Sequence, residues 1–129
     1  MQSEGDERAA QTAARERFCA AGSYRQQAAW FVRWLDRVGV AYDTSSYWDL
    51  PDKSRYVYIL DEGGDPEWAL RFADHAQPPY GGYAGDMLGS RGNSDLCCDP
   101  TTGVTWRDAQ AWVAARRGHA TTGIVADDD

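Results

Sequence analysis

The chain has 129 residues, of which 43% are hydrophobic and 26% charged, and its formal net charge is −7. That length and balance suit one soluble domain, and no apolar run approaches the ~18–20 residues of a membrane span. The polar, acidic residues 1–8 predict no signal peptide, and three cysteines, two of them adjacent at Cys97 and Cys98, predict reduced cytosolic thiols rather than a disulfide framework.

Residues 4–20 are rich in Ala, Arg and Glu and predict a first helix, with Ser3 as its cap. Gly22 breaks the chain. Ser23-Tyr24-Arg25-Gln26 has capping-box form and opens a second helix that runs to Val38, with Gly39 at its left-handed end. Tyr24, Ala28, Phe31, Leu35 and Val38 form one apolar stripe along it, which Trp30 and Trp34 widen.

From residue 40 the apolar period becomes two. Short strands are predicted at 40–42 and 46–48, then a turn at 51–54 and a strand over 55–60. Gly63-Gly64-Asp65-Pro66 closes a hairpin onto a return strand over 67–73, with Trp68, Leu70 and Phe72 on one face. Residues 76–93, with Pro78-Pro79-Tyr80-Gly81-Gly82-Tyr83, predict a long ordered loop. A further strand is expected at 94–98. Thr105-Trp106-Arg107-Asp108 repeats the capping-box form and opens a helix ending at Gly118, with Trp106, Ala109, Val113 and Arg116 on one side. The fold class is therefore α+β: two N-terminal helices, a small antiparallel sheet of three to four strands, and a C-terminal helix packed on one face. Residues 1–118 make a single domain, and 119–129 a disordered acidic tail.

Charge is distributed unevenly along this order. Residues 43–99 hold eleven acids against Lys53, Arg55, Arg71 and Arg91, so the middle of the chain carries the net negative charge. Such a field repels phosphate backbones and attracts basic surfaces. Direct nucleic-acid binding is disfavoured. A docking surface is predicted from Asp61, Glu62, Asp65 and Glu67 together with the loop aromatics Tyr47, Trp48, Tyr80 and Tyr83, because Tyr and Trp bury large rigid area at low entropic cost.

Two other chemistries compete with that reading. Asp74 and His75 form a carboxylate–imidazole pair that, joined by Asp95 or Asp99, has the donor set for a divalent ion in a metal-dependent hydrolase or nuclease. Adjacent residues on an extended strand point to opposite faces, which works against the pair. A sponge for a small signalling nucleotide would instead use Arg55, Arg71, Arg91 and the loop tyrosines. Cysteine and serine nucleophiles lack elbow motifs, and no glycine-rich phosphate loop precedes a helix. No cofactor is implied.

Arg55-Tyr56-Val57, Leu70-Arg71-Phe72-Ala73-Asp74-His75 and Pro78-Pro79-Tyr80 give residues 54–80 a resemblance to small proteins of phages, plasmids and other mobile elements. Serine typically precedes the Asp-His pair there, and Ala73 departs from that pattern. The resemblance implies a mobile-element protein in a bacterial cytoplasm and brings no activity with it. By analogy of size and charge, such a protein looks like an inhibitor of host defence of the anti-CRISPR kind. The expected function is therefore that of a small acidic binding protein blocking a basic, nucleic-acid-binding surface of a host complex.

Overall fold

The computed structural model describes residues 4–51, 53–75 and 94–117. The Ser3 cap, Asp52, the 76–93 loop with Tyr80, Tyr83 and Arg91, and the 119–129 tail lie outside the described residues. Among those described, three helices and a four-stranded sheet follow one another as α1 (Glu4–Ala20), α2 (Tyr24–Val38), β1 (Tyr42–Thr44), β2 (Arg55–Leu60), β3 (Pro66–Phe72), β4 (Leu96–Cys98) and α3 (Trp106–Arg117). The α+β class is as the sequence predicts. No helix among the described residues is long and apolar enough to cross a membrane.

Local chemistry sets the helix ends. Ser23 accepts the Gln26 amide at 3.1 Å, and Gly39 takes the left-handed conformation at φ 79°, where its N–H reaches the carbonyls of Asp36 and Leu35. At α3 the box is reciprocal: the Thr105 amide donates to Asp108 Oδ2 at 2.9 Å, and the Asp108 amide to Thr105 Oγ1 at 3.4 Å. Arg17 from α1 grips the same carboxylate at 2.5 Å. Its hydrogen bonds hold the Asp108 carboxyl below the ordinary value.

The strands lie in the order β1-β2-β3-β4. The first three are antiparallel, but β4 runs parallel to β3, pairing Leu70 with Leu96 and Phe72 with Cys98. The sheet is thus mixed rather than antiparallel throughout. A parallel neighbour requires a crossover of a dozen or more residues, and the chain between Phe72 and Leu96 is long enough to supply one. The predicted strand at 46–48 is instead a turn, closed by Trp48 N–H to Ser45 O and Leu50 N–H to Tyr47 O. Strand β1 starts two residues later than predicted.

Helices α2 and α3 cover one face of the sheet. Phe31, Trp34 and Leu35 of α2 and Ala109 and Val113 of α3 meet Val57, Ile59, Leu70, Phe72 and Cys98 in a single buried cluster, with Phe31 and Phe72 ring centroids 5.5 Å apart. The predicted stripe holds except at Val38, which is half-buried. Trp68, expected in the core, is also half-buried, and Arg116 stands outside the buried side of α3, over the Trp112 ring at 3.7 Å.

Buried Gln27 locks the helices together. Its amide nitrogen donates to Phe18 O at 2.9 Å and Gly22 O at 2.8 Å, and its oxygen accepts the Trp106 amide at 3.0 Å. One side chain therefore satisfies the end of α1 and the start of α3, groups that would cost ~1–3 kcal/mol each if left unpaired. Gly103, at φ 73°, lets its loop press on α1: a Cβ there would stand 3.0 Å from Ala14 Cα. Beyond that contact α1 projects, and residues 5–13 are exposed.

Candidate functional site

The four acids predicted as a docking surface all lie at the β2–β3 turn. Asp61 organises that turn: its Oδ1 accepts the amides of Gly63 and Asp65, both at 2.9 Å. Its backbone N–H donates to Asp65 O at 2.8 Å. A carboxylate taking two backbone amides fixes a tight turn from within. Glu62 and Asp65 are left exposed, with no ion pair among the described residues. Glu67 differs. It pairs with Arg117 at 3.3 Å, and Arg117 also donates to Leu60 O in a short hydrogen bond.

Different aromatics flank this turn from the ones predicted. Trp68 meets Trp112 edge-on at 5.6 Å, Arg117 lies over Trp68 at 5.1 Å, and Arg116 over Trp112. Tyr47 and Trp48 belong to the other end of β2, roughly 17 Å away at about 3.4 Å per residue. Trp48 is occupied there: its carbonyl accepts Arg55 Nε at 2.9 Å and its ring lies 4.5 Å from the guanidinium carbon. The predicted union of acids and loop aromatics therefore fails for Tyr47 and Trp48, because β2 separates them from the turn. Tyr80 and Tyr83 lie outside the described residues. The sequence carries no local signal for the Trp68–Trp112 pair, which joins a strand to a distant helix.

Next to the acidic turn runs β1, one edge strand of the sheet among the described residues. Ala41 O accepts Leu60 N–H at 3.0 Å, and Ser45 N–H donates to Tyr56 O at 3.1 Å. Antiparallel pairs alternate, so Asp43 faces β2 while the N–H and C=O groups of Tyr42 and Thr44 point outward. Asp36 hydrogen-bonds Tyr42, whose hydroxyl is pushed above its usual pKa by burial first and then by that carboxylate.

The face of the sheet opposite the helices holds a second polar cluster. Tyr56 and Tyr58 stack at 6.2 Å, Tyr47 lies near both, and burial foremost raises Tyr58 to a pKa of about 12. Beside them Arg71 and Asp99, 3% and 2% exposed, form an ion pair at 3.6 Å. Arg71 also donates to His75 O at 3.1 Å, while Asp99 Oδ1 accepts the amides of Thr101 and Thr102 at 2.9 Å. Burial pushes the Cys97 thiol up, against the pull of Arg71 beside it, and Cys98 goes well up for the same reason. Cys19 is exposed, and none of the three cysteines is in a disulfide.

This cluster answers the two competing chemistries. Asp74 and His75 do meet, Nδ1 to Oδ1 at 2.8 Å, because the chain bends after Phe72 instead of continuing extended. Yet the other proposed ligands are engaged elsewhere: Asp95 accepts the Ala69 amide at 2.9 Å, and Asp99 holds Arg71. Among the described residues, no three His, Cys, Asp or Glu side chains are placed to hold a metal ion. For the nucleotide reading, Arg55 and Arg71 are both buried and engaged, Arg55 donating to Arg25 O at 2.8 Å, and Arg91 lies outside the described residues. No family model, curated protein or solved structure matches this chain.

Proposed function

We propose that this protein is a binding protein whose acidic β2–β3 turn engages a cationic partner surface. One observation carries the reading. Glu62 and Asp65 are exposed and unpaired among the described residues, on a turn that Asp61 holds in shape. Fixed charge of one sign speeds encounter with an opposite surface and costs little reorganisation on docking. Trp68 and Trp112 supply half-buried rings beside the turn, of the kind that anchors interfaces. Arg116 and Arg117 limit the negative surface to the turn itself.

The finer proposal is that the partner surface normally binds nucleic acid and belongs to a host defence complex that this protein blocks. Its support is the acidity of the chain, together with the resemblance of residues 54–80 to mobile-element proteins. Affinity capture from a bacterial lysate tests both levels, with the wild type set against the double variant Glu62→Lys, Asp65→Lys. Raising salt from ~0.1 M to ~1 M shortens the screening length from ~10 Å to ~3 Å, so a genuine complex should dissociate. The expected result is a basic protein retained by the wild type, lost in the variant, and displaced by added DNA. Equal capture by both proteins, or capture indifferent to salt, would overturn the reading.

A further inference from the structure

The acidic turn adjoins the β1 edge of the sheet, which is unpaired among the described residues, and the two together define a more specific partner. Strand β1 turns the backbone N–H and C=O groups of Tyr42 and Thr44 away from β2, and no described residue pairs with them. Outside them lies a shallow groove of about 460 Å³ lined by Asp36, Val40, Ala41, Tyr42, Asp43 and Thr44. Asp43 and Thr44 are exposed there. An unpaired edge of this kind is a template for one more strand.

Carboxylates flank that template on both faces. Tyr42 opposes Ile59 and packs with the core, so Asp43, one residue on, projects to the other face, opposite Tyr58. Asp36 stands on the helix side, hydrogen-bonded to Tyr42. Ala41 pairs with Leu60, immediately before Asp61 and Glu62, so the acidic turn continues the same edge. An incoming strand alternates its side chains between the two faces and meets a carboxylate on each.

We infer that the β1 edge accepts a basic, extended segment of the partner as a fifth strand, its backbone bonding Tyr42 and Thr44 and its Lys or Arg side chains facing Asp36, Asp43 and the β2–β3 turn. This inference rests on the cationic-partner reading above and specifies how that partner is held. It also predicts which substitution is tolerated. Proline at 44 removes only an outward N–H, and edge positions of that kind accept proline.

The test uses a short peptide alternating lysine and valine, and the same peptide N-methylated on every amide, which keeps its charge but removes the donors of both backbone edges. Binding is read by fluorescence anisotropy, and protection of the Tyr42 and Thr44 amides by hydrogen exchange. The unmodified peptide should bind and protect both amides. N-methylation, or Thr44→Pro in the protein, should weaken binding about ten-fold, the loss expected from one or two hydrogen bonds. Equal binding of the two peptides would sink strand addition while leaving the cationic-partner reading intact, and this comparison needs no folded variant. Should neither peptide bind, strand addition is likewise lost, and the lysate capture with the Glu62→Lys, Asp65→Lys variant then decides the broader reading on its own.

Discussion

The β2–β3 turn and the cluster around Arg71 use similar residue types to opposite ends. At the turn, Glu62 and Asp65 stand in water without partners among the described residues. On the sheet face opposite the helices, Asp99 is almost wholly buried, satisfied by Arg71 and by two backbone amides. A buried carboxylate must be paired and hydrogen-bonded, whereas an exposed one is free to act at a distance. The contrast separates structural charge from available charge. Only available charge attracts a partner, and the net −7 of the chain says nothing about which is which.

The sharpest way to break that comparison is to strip the interior pair. Arg71→Met leaves Asp99 buried without its counter-ion, and urea unfolding should show a loss of about 3–5 kcal/mol. Adding Asp99→Asn to that variant should restore part of the loss, since a neutral amide no longer needs the counter-charge. If Arg71→Met is as stable as wild type, Arg71 does not balance the buried Asp99 charge.

A smaller effect is expected at alkaline pH from the neighbouring tyrosines. Tyr58 is raised from 10.0 to about 12, by burial first and then by Tyr47 and Tyr56. The stability tied to its neutral phenol is complete below pH 10 and is lost as pH climbs toward about 12. Tyr58→Phe should therefore flatten the alkaline fall in stability seen in urea titrations. An unchanged slope would place Tyr58 in water.

The smallest effect on stability belongs to the turn. Glu62→Lys with Asp65→Lys should shift the unfolding free energy by no more than about 0.5 kcal/mol, as exposed unpaired positions do. A loss comparable with that of Arg71→Met would mean that these carboxylates hold the turn, a role the geometry assigns to Asp61.

Much of this architecture was legible residue by residue. Ser23 and Gly39, and Thr105 and Asp108, act through partners within four residues, and the period of two along β2 and β3 is carried by each strand's own sequence, so their outcome follows from local spacing. The turn acids were legible too, because Gly63-Gly64 marks a hairpin. The aromatic companions were not. Trp48 was taken by Arg55, seven residues on, and Trp68 found Trp112 across the fold. Asp74 and His75 met only because the strand ends in a bend.

By itself the order of residues determined the helices, the hairpin and the sign of the middle segment, since capping, periodicity and turn chemistry are short-range. Tertiary structure alone decided that β4 lies parallel to β3, that Arg71 spends its charge on Asp99, and that Tyr42 and Thr44 turn their backbones outward. Those outcomes depend on which distant groups are brought into contact, and desolvation then settles which charges must be neutralised and which remain free.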